Sequence, residues 1–166
     1  MKKIIFTAMA ALSFISLSAK AQLTETTVQQ YTNAYIAAFE GCDVSKVNAF
    51  LDSYYADNYT MTLQAPNGQT REATREQVAA IAAQGLKIMR QVNGEKADCR
   101  PDIALDKSQL NGNTGVIQTT QKEEITFPQN GKMVGVRANT TCEHQIIDKS
   151  GTLQVQKSQC VLYQTK

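Results

Sequence analysis

The chain contains no Trp, a single His and only three Pro among its 166 residues. One imidazole, His144, argues against a metal centre, because it has no partners at ligand spacing. Three scattered Pro form no Pro-rich linker, and no internal repeat or block of like charge marks a disordered tail. Four Cys are present without a C-x-x-C, which speaks against a zinc site or a thioredoxin-type redox pair. There is no glycine-rich phosphate loop, no G-x-S-x-G elbow and no H-E-x-x-H. No cofactor is expected.

Long apolar runs are also missing, apart from one at the start. Lys2-Lys3, the apolar residues 4–17 and Ala19-Lys20-Ala21 have the three parts of a secretory leader, with cleavage expected before Gln22. The run is shorter than the roughly 20 residues of a membrane span. Removing the leader's three Lys from the 17 basic residues leaves 14 against 15 acidic ones, a net charge of −1. The apparent basicity therefore belongs to the leader, and neither nucleic acid nor an anionic membrane is an expected partner. Residues 22–166 suit one domain, expected to be soluble and periplasmic or secreted.

Export carries Cys42, Cys99, Cys142 and Cys160 to an oxidising compartment, where an even count favours disulfides. Four Cys allow three pairings. A type I turn with a Gly bulge at Asp148-Lys149-Ser150-Gly151 would set Thr140 opposite Cys160, Cys142 opposite Ser158 and Glu143 opposite Lys157. That register leaves Cys142 and Cys160 on one face and leans towards Cys142–Cys160 with Cys42–Cys99. A two-residue turn would separate them.

The periodicity divides the chain into helices first and strands afterwards. Val28, Tyr31, Tyr35 and Phe39 form a helical stripe ended by Gly41, and Asp43 offers an N-cap to a second helix carrying Val44, Val47, Leu51 and Tyr54. From Tyr59 the period changes to two, until the Pro66-Asn67-Gly68 turn. Thr74 and Gln77 form a capping box for a third helix, ended by Asn93-Gly94. Strands are predicted over residues 98–110, 114–127, 132–147 and 152–163, separated by Asn- and Gly-containing turns. The order implies an α+β domain with its helices on one face of a curved, mostly antiparallel sheet.

Residues 34–39 (AYIAAF), Gly41, Asp43 and the run Tyr55-Ala56-Asp57-Asn58-Tyr59-Thr60-Met61-Thr62 resemble the opening of the nuclear transport factor 2-like superfamily, which includes ketosteroid isomerases and SnoaL-like cyclases. The closing residues 148–153 (DKSGTL) resemble its last hairpin. The resemblance implies a cone of curved sheet around the first helix, with an apolar pocket at the wide end. Its members include enzymes, ligand binders and docking modules, and their sheets often pair, which leaves a homodimer open. Fold alone does not choose among these.

The isomerase chemistry requires a carboxylate base and an oxyanion hole. Matching on Tyr55-Ala56-Asp57 puts the base position at Leu63, which cannot take a proton. Tyr35 falls near the family's oxyanion Tyr, and His144 is the one side chain that titrates near neutrality unaided. Glu123 and Glu124 are adjacent and point to opposite faces of a strand, so they cannot act as a pair. Asp57 is expected to cap the corner between helix and strand.

The residues favour a non-catalytic binding protein whose pocket is lined by Tyr31, Tyr35, Tyr54, Tyr55, Met61, Leu63, Leu86 and Met89. Its partner would be a small apolar ligand or another protein. The alternatives are an enzyme using His144 with Tyr35, or a periplasmic immunity protein that neutralises a toxin.

Overall fold

Each α-helix begins at a side-chain cap. Helix α1 (Glu25–Ala38) starts where Thr24 Oγ1 accepts from the Thr27 amide at 3.2 Å. Helix α2 (Val44–Tyr54) starts where Asp43 accepts from the Ser45 amide at 2.9 Å. Helix α3 (Arg75–Asn93) has the reciprocal box between Thr74 and Gln77. These side chains satisfy amides that the first helical turn leaves without partners. Between α1 and α2 the backbone turns sharply at Gly41, with φ +71°.

The computed structural model describes residues 22–94, 98–129 and 132–165. The expected leader, residues 1–21, and the expected turn at Asn130-Gly131 lie outside the described residues. The strands are β1 (Tyr55–Gln64), β2 (Thr70–Thr74), β3 (Asp102–Asn111), β4 (Thr114–Gln129), β5 (Lys132–Lys149) and β6 (Thr152–Thr165). They form one curved, unclosed sheet of order β2-β1-β6-β5-β4-β3. All neighbours are antiparallel except β1 and β6. The architecture is α+β, as the order of periodicities implies.

Three local expectations are corrected. Strand β1 starts at Tyr55, directly after α2, four residues ahead of the alternation at Tyr59. Strand β2 was not anticipated, because Thr70–Thr74 is short and largely exposed. Strand β3 begins at Asp102 instead of residue 98, because Cys99 is bonded to Cys42 and Pro101 has no amide hydrogen to give a ladder.

Both disulfides form, Cys42–Cys99 and Cys142–Cys160. The pairing is the one towards which the sequence leans, but the register behind it differs. The β5–β6 hairpin closes with the two-residue turn Ser150-Gly151, pairing Lys149 with Thr152 and Asp148 with Leu153. A register shift between Gln145 and Ile146 then absorbs Gln156 as an extra residue. Cys142 therefore lies directly opposite Cys160 and His144 directly opposite Ser158. A bulge inside the ladder, instead of one at the turn, keeps the two Cys on one face.

The core lies between the helices and the sheet. Val28 and Tyr31 of α1, Val47 and Leu51 of α2, Leu86 of α3, Ile117 of β4, Ile146 of β5 and Leu153 and Val155 of β6 are buried in one cluster. Full burial of each large apolar side chain contributes about 1.5–3 kcal/mol.

Candidate functional site

A cavity of about 660 Å³ remains between the helices and the sheet. That volume is within the range of small-molecule pockets. The helices contribute Tyr31, Tyr35, Phe39, Val47, Leu51, Val78, Ile81 and Ala82, and β1 contributes Tyr55, Tyr59, Met61 and Leu63. The far wall is Ile103, Thr119, Gln121, Ala138, Thr140, Cys142, His144, Cys160 and Leu162. None of these described lining residues is an Asp, Glu, Lys or Arg.

Strand geometry explains the far wall. On β5, Ala138, Thr140, Cys142 and His144 alternate inward at the period of two. Thr119 is paired with Cys142 across β4–β5, which sets it diagonally beside His144 on the same face. The Cys142–Cys160 disulfide closes this wall between β5 and β6.

The polar side chains of the wall are joined to one another. His144 Nε2 is 3.0 Å from Thr119 Oγ1, and its Nδ1 is 2.7 Å from Ser158 Oγ. All three residues are buried. Burial pushes His144 down to about 4, so the imidazole is neutral at pH 7. Burial also pushes the Tyr59 hydroxyl up to about 12, while the neighbouring Ser158 hydroxyl acts in the opposite direction. Further along the cavity, the Tyr35 hydroxyl donates to Gln121 Oε1 at 3.0 Å. The Tyr31 and Tyr55 hydroxyls are 3.0 Å apart, and burial raises both above the ordinary tyrosine value.

Of the residues expected to line a pocket, Tyr31, Tyr35, Tyr55, Met61 and Leu63 lie on this cavity. The other three lie elsewhere. Tyr54 packs edge-on against Tyr31 and tilted on Phe50, with ring centroids 5.5 and 4.9 Å away. Leu86 is within the core, and Met89 packs against it from outside. Both follow the helical stripe of α3, and that stripe reaches the cavity only through Val78, Ile81 and Ala82.

Leu63 brings no acid to the position where an isomerase keeps its base. His144 and Tyr35 share the cavity, each already engaged in hydrogen bonds within the wall. Asp57 does not cap the corner. It lies in β1 and meets Arg75 Nη2 at 3.1 Å, while Arg75 Nη1 donates to the Tyr55 carbonyl at 3.2 Å. Glu123 and Glu124 have backbone partners Ala138 and Arg137 in β5. Among the described residues, no group of His, Cys, Asp and Glu could hold a metal ion, and no helix is long and apolar enough to cross a membrane.

Sequence reasoning missed Thr119 and Ser158. Nothing local marks Ser158, whose place opposite His144 depends on the bulge at Gln156.

No protein-family model matches the chain, and no curated protein matches it. Solved structures do. An NTF-2-like protein of unknown function from Silicibacter pomeroyi is 11% identical with a TM-score of 0.55, over 86% of this chain and 100% of that one. An NTF2-like protein of unknown function from Shewanella baltica is 8% identical with a TM-score of 0.56, over 86% and 94% of the two chains. A protein from Kribbella flavida is 9% identical with a TM-score of 0.61, over 86% and 96%. At these identities the likeness is one of architecture. The chain has the nuclear transport factor 2-like fold.

Proposed function

We propose that this protein is an exported binding protein that holds a small apolar molecule in its cavity without chemically altering it. The observation that carries the reading is a cavity of about 660 Å³ whose described lining bears no formal charge. Aromatic rings and a Met give such a cavity adaptable apolar contact. The leader-like pattern of residues 2–21 supports export, and two disulfides are in keeping with an oxidising compartment.

A reaction run by His144 and Tyr35 is less well supported. A general base needs a lone pair within reach of the substrate proton. Both ring nitrogens of His144 are engaged by hydroxyls, and no carboxylate shares the cavity among its described lining residues. A protein partner, such as a toxin, needs a surface it can reach. The apolar surface described here is concave and suits a small molecule better.

The test is titration with the neutral fluorophore Nile red. Saturable binding to one site is expected, abolished by Thr140→Phe, which fills the cavity. Absence of saturable binding by a folded protein would overturn the reading. Turnover of a cyclic ketone abolished by His144→Gln with the fold intact would replace it with the enzyme. Intact mass of the protein recovered from the cell envelope should begin at Gln22.

A further inference from the structure

Hydrogens can be counted along the buried chain of Thr119, His144 and Ser158. A hydroxyl carries one hydrogen to donate, and so does a neutral imidazole. Three groups thus hold three donor hydrogens, while two contacts join them. One hydrogen is left over.

The imidazole tautomer decides where that hydrogen emerges. With hydrogen on Nε2, the ring donates to Thr119 Oγ1, Ser158 donates to Nδ1, and the Thr119 hydroxyl hydrogen is left free. Thr119 lines the cavity, and among the described residues its hydroxyl has no hydrogen-bond partner besides the imidazole. With hydrogen on Nδ1, Thr119 donates to Nε2 and the Ser158 hydrogen is left free. Ser158 does not line the cavity, so in this tautomer the spare hydrogen stays inside the wall. In the first tautomer the wall offers the cavity a donor with no acceptor of its own, in a low-dielectric site where an unmade hydrogen bond is costly.

We infer that Thr119, His144 and Ser158 form a single-donor anchor for one acceptor oxygen of a neutral apolar ligand. The Nε2–H tautomer of the imidazole delivers that donor at Thr119. The inference rests on the reading of the cavity as a ligand site and narrows the ligand to an uncharged molecule with a carbonyl, ether or hydroxyl oxygen. An anion would enter without a cation to meet it, since no described lining residue is Lys or Arg.

Three rigid probes of similar shape test it by calorimetric titration: fluorene, fluorenone and fluorene-9-carboxylate. Fluorenone should bind roughly three- to tenfold more tightly than fluorene, the range of one net hydrogen bond, and the carboxylate most weakly. The preference for fluorenone should disappear in Thr119→Val, which removes the free donor. Because the chain has one His, selective ¹⁵N-histidine labelling gives one pair of ring signals. Fluorenone should shift them towards the Nε2–H tautomer, and fluorene should not. This wild-type readout decides the matter if the variant fails to fold. Equal binding of fluorene and fluorenone would overturn the anchor and leave the cavity reading standing, as would strongest binding of the carboxylate. Failure of all three probes to bind would overturn both.

Discussion

The hydroxyls of Tyr31 and Tyr55 meet at 3.0 Å in the core, joining α1 to the first residue of β1. Both hydroxyls are shut away from water, and burial keeps both protonated. Each is the other's compensation for desolvation. Tyr55→Phe should therefore destabilise by about 1–3 kcal/mol, the penalty of a buried polar group left without a partner. The double variant Tyr31→Phe/Tyr55→Phe should lose less than the sum of the two single losses. Urea unfolding of the four proteins checks this. Strict additivity would show that the contact carries no stability.

The two disulfides should contribute unequally. Cys42–Cys99 spans 57 residues and Cys142–Cys160 spans 18. Chain-entropy scaling gives about 4 and about 3 kcal/mol respectively. Replacing the first pair with Ala should lower the urea midpoint more than replacing the second. Equal losses would mean that the second bond gains from joining strands already paired along β5 and β6.

Stability should fall on mild acidification because of His144. Its ordinary value is 6.5, and burial lowers it to about 4 in the fold. The unfolded chain therefore takes up a proton that the folded one refuses. The protection is complete above pH 6.5 and is lost progressively as pH falls towards 4, by about 3 kcal/mol in all. Urea unfolding between pH 7 and 4.5 should show this slope, and His144→Gln should flatten it relative to the parent. A ¹⁵N-histidine signal that titrates near 6.5 in the folded protein would refute the prediction.

The elements legible in the sequence are those whose causes are local. Asp43, the Thr74–Gln77 pair and Gly41 mark helix ends because capping involves residues two or three apart, and the structure has those contacts. What was not legible depends on partners far along the chain. The hairpin turn at Asp148-Lys149-Ser150-Gly151 is compatible with more than one register, and no residue near Gln156 announces the shift that sets Cys142 opposite Cys160. Strand β2 escaped because Thr-Arg-Glu-Ala-Thr has no buried face to impose alternation. The candidate site divides the same way. Its aromatic side follows the stripe of α1, whereas the pairing of Thr119 and Ser158 with His144 exists only once three strands are in register.

The parallel pairing of β1 with β6 also constrains the order in which the sheet can be completed. Strand β1 lies between β2 and β6, so it can join the rest of the sheet only through residues 152–165. Without those residues the β1–β2 hairpin and the β3–β4–β5 meander share no ladder, and only helix packing and the Cys42–Cys99 bond join them. The wall that carries His144 then lacks Ser158 and Cys160. The last of the described strands is the keystone, and a chain without residues 152–165 can neither enclose a ligand nor lock its second disulfide.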